Sequence, residues 1–408
     1  MGYPESGMLP LRASVIGLVA TAVVGCGSHI PPLIDEDLPP SSLQDGGPDS
    51  GGFFNATPPP PPAADAAGYC GNVIVPIVLE RPNLYFVLDA SGSMISPMDV
   101  PDANGNFGTR YDAARAAIAD VLKVVGHRVS YGAATFPATD SDSDTSQCPA
   151  GQEVFATRPG DPVSYAIADK VGPILSSLLA TLAGRTPSGL TPTAATMMGL
   201  QNKLLALTGK TYAFLLTDGA PNCDANITCD TNECTTNIEG NCDPNDATLN
   251  CCDLRYGAQQ NLWCLDAEPT VSAVANLEAS GIKTFVIGMP GSTVYAGLLD
   301  QLAEAGGTAR PTEPYYYPAE GADDLAATLR QIGLSVSISC EVTLATAPPD
   351  PALVNVYFDK TVVPFDPTDG WTYIDPTHVG IEGKSCALLQ GGDVLDVQVV
   401  AGCTSIVN

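Results

Sequence analysis

Between residues 84 and 332, short apolar runs alternate with longer stretches whose apolar residues recur three or four positions apart, and this alternation narrows the possible folds most. Leu84–Leu88 is uninterrupted and suits a strand covered on both faces. Ala114, Ala117, Ile118, Val121, Leu122 and Val125 then fall on one face of a helix. The two signals keep recurring. They predict strands at Val129–Phe136, Tyr212–Leu216 and Thr284–Ile287, and helices across Val163–Leu182, Pro192–Leu207, Val271–Ser280, Ala296–Ala305 and Asp323–Ile332. Strands separated by helices imply an α/β fold, a doubly wound, mostly parallel sheet with helices on both faces. From Val336 the period drops to two. Val336, Ile338, Cys340, Val342 and Leu344 alternate with polar residues, as do Ala352, Val354, Val356 and Phe358, and later Leu395, Val397 and Val399. Residues 336–408 therefore read as a small C-terminal antiparallel β module.

The segment before the fold reads differently. Arg12 is followed by an uncharged run, Ala13 to Gly25, too short to span a bilayer and suited to a signal h-region. The run ends Val23-Val24-Gly25-Cys26, which resembles a bacterial lipobox and implies residues 1–25 as signal peptide with lipidation at Cys26. Gly27 lacks the Asp associated with inner-membrane retention, which favours the outer membrane. Residues 26–69 are rich in Pro, Gly, Asp and Ser, including Pro58 to Pro62, and cannot bury a core. They read as a tether; at ~3.1 Å per residue its reach is on the order of 100 Å.

Cysteine number agrees with an oxidising compartment. Removing Cys26 from 13 cysteines leaves an even set of twelve. Cys223, Cys229, Cys234, Cys242, Cys251, Cys252 and Cys264 contain no Cys-x-x-Cys pair, and with only 3 His in the chain disulfides are favoured over zinc. Adjacent Cys251 and Cys252 are expected to bond to different partners. Cys340, Cys386 and Cys403 cannot all pair among themselves, so one is expected to reach Cys70 or another Cys outside the module. A net charge of −28, from 45 acidic and 17 basic residues, argues against nucleic acid and against lying on an anionic membrane surface. Membrane contact is expected through the lipid anchor only.

Chemistry concentrates where strands end. The first buried strand runs into Asp89-Ala90-Ser91-Gly92-Ser93, and the strand Tyr212–Leu216 into Thr217-Asp218-Gly219. Gly189-Leu190-Thr191-Pro192-Thr193 opens the helix between them, with Thr191 also suited to be its N-cap and Pro192 its first residue. In an open α/β sheet, ligands sit beyond the carboxyl ends of strands. This set resembles the von Willebrand factor A (vWA) domain and its metal-ion-dependent adhesion site, whose pattern is Asp-x-Ser-x-Ser, a Thr from a second loop and an Asp from a third. Position by position, Asp89, Ser91, Ser93, Thr191 and Asp218 match, though Thr193 can stand in for Thr191 and Leu190 occupies a place where Gly is common. The likeness covers residues 70–335, with a Cys-rich insertion at 220–266. It extends, through that insertion and the Cys-terminated tail, to bacterial vWA lipoproteins of the cell envelope.

The resemblance implies Mg²⁺, or Ca²⁺ or Mn²⁺, held by oxygen donors alone. A protein partner's Asp or Glu would complete the coordination, giving an adhesion or protein–protein interaction role. The alternative is a disulfide-stabilised envelope component in which the metal only stabilises. Asp99, Asp102, Asn104 and Asn106, and separately Asp224, Asn226, Asp230, Asn232 and Glu233, are weaker Ca²⁺ candidates that serve equally as turn formers. No Gly-x-Ser-x-Gly, His-Glu-x-x-His or P-loop pattern occurs, and His29, His127 and His378 are isolated, so no enzymatic activity is expected.

Overall fold

The computed structural model describes residues 70–407 apart from 72, 79–80, 103, 139–147, 244, 247, 393 and 395. The expected signal segment, Cys26, the tether and Leu395 lie outside the described residues. The chain begins with β1 (Val73–Val75), β2 (Ile77–Val78), β3 (Asn83–Asp89), α1 (Arg110–Val125), β4 (Ser130–Phe136) and β5 (Gln152–Pro159). It continues through α2 (Val163–Ile167), α3 (Pro173–Ala183), α4 (Thr193–Leu205), β6 (Thr211–Thr217), α5 (Thr235–Ile238), α6 (Ala267–Ala279) and β7 (Lys283–Gly288). Next come α7 (Ala296–Ala305), β8 (Tyr317–Pro318), α8 (Ala322–Ser337), β9 (Glu341–Leu344), β10 (Val354–Phe358) and β11 (Thr361–Val363). The last elements are β12 (Trp371–Asp375), β13 (His378–Ile381), α9 (Gly383–Gln390) and β14 (Val397–Ala401).

Six strands form the central sheet in the order β5-β4-β3-β6-β7-β8. All neighbours are parallel except β4 and β5. Strand β3 explains why both faces need helices. Leu84, Phe86 and Leu88 join one core with Ala114, Ile118 and Val121 of α1 and Leu325 and Leu329 of α8. Tyr85 and Val87 point the other way, into a core with Met197 and Leu200 of α4, Val274 and Leu277 of α6, and Leu299 and Leu302 of α7. Alternate side chains of one extended strand thus feed two apolar layers. The chain leaves β3 towards β4 on one side and returns to place β6 on the other. That reversal is a topological switch point, and the ends of β3 and β6 open onto it.

The C-terminal module is two four-stranded antiparallel sheets, β1-β14-β10-β11 and β12-β13-β9-β2. Each takes one strand from residues that precede the central sheet, so the expected 70–335 span gives up β1 and β2 to the module. A disulfide joins Cys70 to Cys403, the pairing outside the module that the odd cysteine number required, and Cys340 pairs with Cys386. Cys251 and Cys252 bond to Cys242 and Cys234 respectively. The module's Val356, Trp371 and Val379 belong to the same apolar core as α1 and α8.

Two expectations need correction, and one strand goes beyond them. The helix across Val163–Leu182 is two helices: Pro173 opens α3, and the Asp161 carboxylate, from outside the helix, accepts from Ile174 N and Leu175 N at 2.9 Å each. A Cβ on Gly172 would come within 2.2 Å of that carboxylate, which is why glycine stands there. Val336 belongs to α8 and not to a strand. The backbone bond from Ile338 N to Leu334 O at 3.2 Å closes the helix's last turn, where Ser335 Oγ and Ser337 Oγ also donate back to the carbonyls of Ile332 and Leu334 at 2.8 and 3.4 Å. Strand β5 has no counterpart in the hydrophobic pattern, because only Phe155 of it is buried.

Helix packing on the α1–α8 side is close. A Cβ at Gly333 would lie 2.4 Å from Val121 Cγ2, whereas one at Gly199, on the exposed side of α4, meets nothing within 4 Å. Gly333→Val should therefore lower stability by about 2 kcal/mol through overpacking. Gly199→Ala should raise it by up to about 1 kcal/mol through helix propensity. Urea denaturation of the two variants measures both; equal effects would contradict the tight α1–α8 contact.

Candidate functional site

Parallel register brings the acids together. Leu88 pairs with Leu216, so the next residues, Asp89 and Thr217, emerge side by side at the same sheet edge, with Asp218 following. Asp89 is fully buried and Asp218 nearly so. Asp89 Oδ2 accepts from Thr217 Oγ1 at 2.6 Å, and Asp89 Oδ1 accepts from Ser91 N at 2.8 Å. Ser91 Oγ and Ser93 Oγ lie 3.0 Å apart, and Ser93 Oγ donates to Asp218 Oδ1 at 2.8 Å. Asp89, Ser91, Ser93 and Asp218 thus form one connected group of oxygens. Ser91 is buried, while Ser93 reaches solvent.

Thr191 arrives at the same edge through its backbone. Gly92 N donates to Gly189 O at 3.0 Å, and Ser188 N to Ala90 O at 2.8 Å, which locks the second loop to the first. Asn222 ties it to the third: its Oδ1 accepts from Thr191 N at 2.8 Å, and its N donates to Thr191 O at 2.9 Å. The Thr193 hydroxyl turns back on Thr191 O at 3.5 Å. Among the described residues the Thr191 hydroxyl makes no hydrogen bond to the other four side chains.

Two residues of the site escaped the sequence reading. Asn222 sits in the run Thr217-Asp218-Gly219-Ala220-Pro221-Asn222 and pins two loops together. Arg110 is the first residue of α1, a helix begun by Thr109 and Asp112: Thr109 Oγ1 accepts from Asp112 N at 3.0 Å and donates to Asp112 Oδ2 at 2.8 Å. From there Arg110 Nη1 reaches Asp218 Oδ2 at 2.6 Å. No sequence signal marks a helix-start arginine as the partner of an acid 108 residues away.

Electrostatics divide the two acids. Burial, then the neighbouring Asp218 charge, pushes the Asp89 carboxyl up to about 7. Asp218 is also raised by burial, opposed first by its hydrogen bond from Arg110 and then by that from Ser93. A buried carboxylate in this state calls for a proton or a cation. The donors are carboxylates and hydroxyls, the set a hard divalent cation takes. Oxygen separations of 2.8 and 3.0 Å also match the spacing of about 2.9 Å between adjacent ligands of an octahedron with bonds near 2.0–2.1 Å, although hydrogen bonds have the same length. On chemistry and spacing, the residues fit such an ion.

The weaker candidates resolve into turns. Asp102 Oδ1 accepts from Asn104 N and Asn106 N at 2.9 and 2.8 Å; Asp224 and Asp230 do the same for Asn226 N and Asn232 N at 2.8 and 2.7 Å. The sulfurs of Cys229, Cys252 and Cys264 lie within 4.8 Å of one another, but each is in a disulfide and none is a thiolate ligand.

No protein-family model matches the sequence, and no curated protein matches it. Among solved structures, the chain is similar to the PilB minor pilin from Streptococcus sanguinis (18% identity, 64% of this chain and 62% of that one, TM-score 0.40). It is also similar to the vWF domain of the type V pili tip protein Mfa5 from Porphyromonas gingivalis (14%, 65% and 96%, 0.38). A third is the manganese-loaded Plasmodium vivax TRAP protein (15%, 62% and 74%, 0.35). The chain thus spans under two thirds of the minor pilin's length. At these scores the likenesses bear on neither activity nor ligand.

The Asp89 shift has a signed consequence for the metal-free protein. Its folded value lies above the ordinary carboxylate value of 3.8, so protonation favours the fold; that stability is full below the ordinary value and is lost as pH rises through about 7. In chelator, melting temperature should fall between pH 4 and about 8, and Asp89→Asn should shrink that fall. Asp266, raised to about 6 chiefly by burial, accounts for part of what remains. A pH profile unchanged by the substitution would contradict the burial of an uncompensated carboxyl.

Proposed function

We propose that this chain is an extracytoplasmic binding protein of vWA type, anchored by lipid at Cys26, that grips a protein partner through a divalent cation. The observation that carries the reading is the meeting of buried Asp89 and Asp218, from adjacent parallel strands, through Ser91 and Ser93 at the switch point of the sheet. Asp89, Ser91, Ser93 and Asp218 would hold the cation, with Thr191 as the fifth donor from a loop already fastened to both others. A divalent cation held there supplies positive charge and a coordination position open to a partner's Asp or Glu. Mg²⁺ is the first expectation, with Ca²⁺ or Mn²⁺ compatible with the same donors. Ser93, exposed where Ser91 is buried, faces the side from which a partner would come.

The disulfides support an oxidising compartment: all twelve described cysteines are paired. Among the described residues no helix is long and apolar enough to cross a membrane. The Cys-rich insertion begins immediately after Asp218, is tied by Cys148–Cys223 to the residues before β5, and is the surface we assign to partner choice.

Titrating Mg²⁺ while following both melting temperature and pull-down from envelope extracts tests this function. Metal should raise the melting temperature and be required for a specific partner; chelation, Asp89→Ala and Ser91→Ala should abolish capture with the fold intact. Metal-dependent melting with no metal-dependent partner would leave a purely stabilising ion. A partner captured equally well in chelator would sink the proposal.

A further inference from the structure

Among the described residues Arg110 is the basic side chain that bonds a carboxylate of this group, whereas the Arg185 guanidinium donates to backbone carbonyls beside it, Ala90 O at 3.5 Å and Pro137 O at 3.0 Å. The Arg110 guanidinium bonds Asp218 at 2.6 Å, with the Arg110 side chain 15% exposed and that of Asp218 at 0%. On its other side lies Gly291, in the loop after β7, with φ +97°. A Cβ there would come within 2.7 Å of Arg110 Nη1 and 3.1 Å of Asp218 O. A left-handed glycine therefore makes room for the guanidinium against Asp218. The two acids are unequal as a result. Asp218 has an internal counter-ion, while among the described residues Asp89 is held by neutral donors, Ser91 and Thr217 Oγ1.

We propose that Arg110 is a tethered positive charge that weakens the site's hold on the divalent cation and leaves the loaded site electropositive towards a carboxylate. This rests on the reading of the site given above. Two carboxylates and a divalent cation sum to zero; with Arg110 the sum is +1. A neutral site offers an incoming carboxylate a coordination position but little attraction, whereas a site at +1 offers both. The same charge opposes the metal directly, since like charges a few ångströms apart in a partly buried place repel strongly. Arg110 therefore trades metal affinity for carboxylate affinity. An arginine that merely braced Asp218 would strengthen both. The opposite signs separate the two roles.

The experiment compares the full chain with Arg110→Met and Arg110→Lys, using Mn²⁺ and Mg²⁺ as metal probes and acetate as the carboxylate probe. Arg110→Met should bind Mn²⁺ on the order of tenfold more tightly than the parent, and Arg110→Lys should return close to it. In chelator, Arg110→Met should melt below the parent and gain more on adding metal, which also reports that it folds. Acetate should alter the water relaxation of bound Mn²⁺ at lower concentration in the parent than in Arg110→Met. Equal or weaker Mn²⁺ binding by Arg110→Met overturns this proposal alone. Absence of metal binding in all three proteins overturns the metal reading, and this one with it.

Discussion

The parallel pairing of β3 with β6, in the register that sets Leu88 against Leu216, is the constraint on which the site depends. It puts Asp89 beside Thr217, 128 positions on, with Asp218 the next residue, so both acids share one edge and both are buried. A shift of one residue would turn the apolar set of β3 to the wrong layers, exchanging Leu84, Phe86 and Leu88 for Tyr85 and Val87. The cores on the two faces therefore hold the register, and the register holds the acids. Stability and site are coupled through packing, because two buried carboxyls at one spot repel and the bonds from Arg110 and Ser93 to Asp218 offset only part of that cost.

Much of this was legible in the residues because the signals were local. Buried strands such as Leu84–Leu88 and Tyr212–Leu216 read as unbroken apolar runs, and α1 as a single stripe. The carboxyl ends of strands carried the acids and hydroxyls, so Asp89, Ser91, Ser93 and Asp218 could be named and their meeting anticipated. What failed to show was non-local or mixed. Strand β5 is an edge strand with one buried side chain. The break between α2 and α3 depends on Asp161 capping a helix whose first residue lies twelve positions later in the chain, at Pro173. The true end of α8 lies past the point where alternation begins, because Leu329, Ile332 and Leu334 keep the helix packed on the core through its last turns.

Arg110 belongs to the same class of hidden feature. Its neighbours Thr109 and Asp112 announce a helix start, which accounts for its backbone and says nothing of its side chain. Only the fold reveals that the first turn of α1 sits over the end of β6, and that Gly291 clears a path between them. With 17 basic residues against 45 acidic ones, a basic side chain placed in contact with a buried acid has a disproportionate effect on local potential.

The interleaving of the module has a consequence for the order of assembly. Strands β1 and β2 precede the central sheet in the chain, yet their partners β14 and β9 come after it, so the α/β body is inserted into the module. The body's core under α4, α6 and α7 can collapse as it emerges, whereas the core under α1 and α8 is completed by module residues that come last. The module must wait: Val73 pairs with Ala401 and Cys70 with Cys403, both more than three hundred positions further along the chain. Until then its first two strands await their sheet partners, and strand edges of that kind, with Val73 and Ile74 on them, are what a holding chaperone covers.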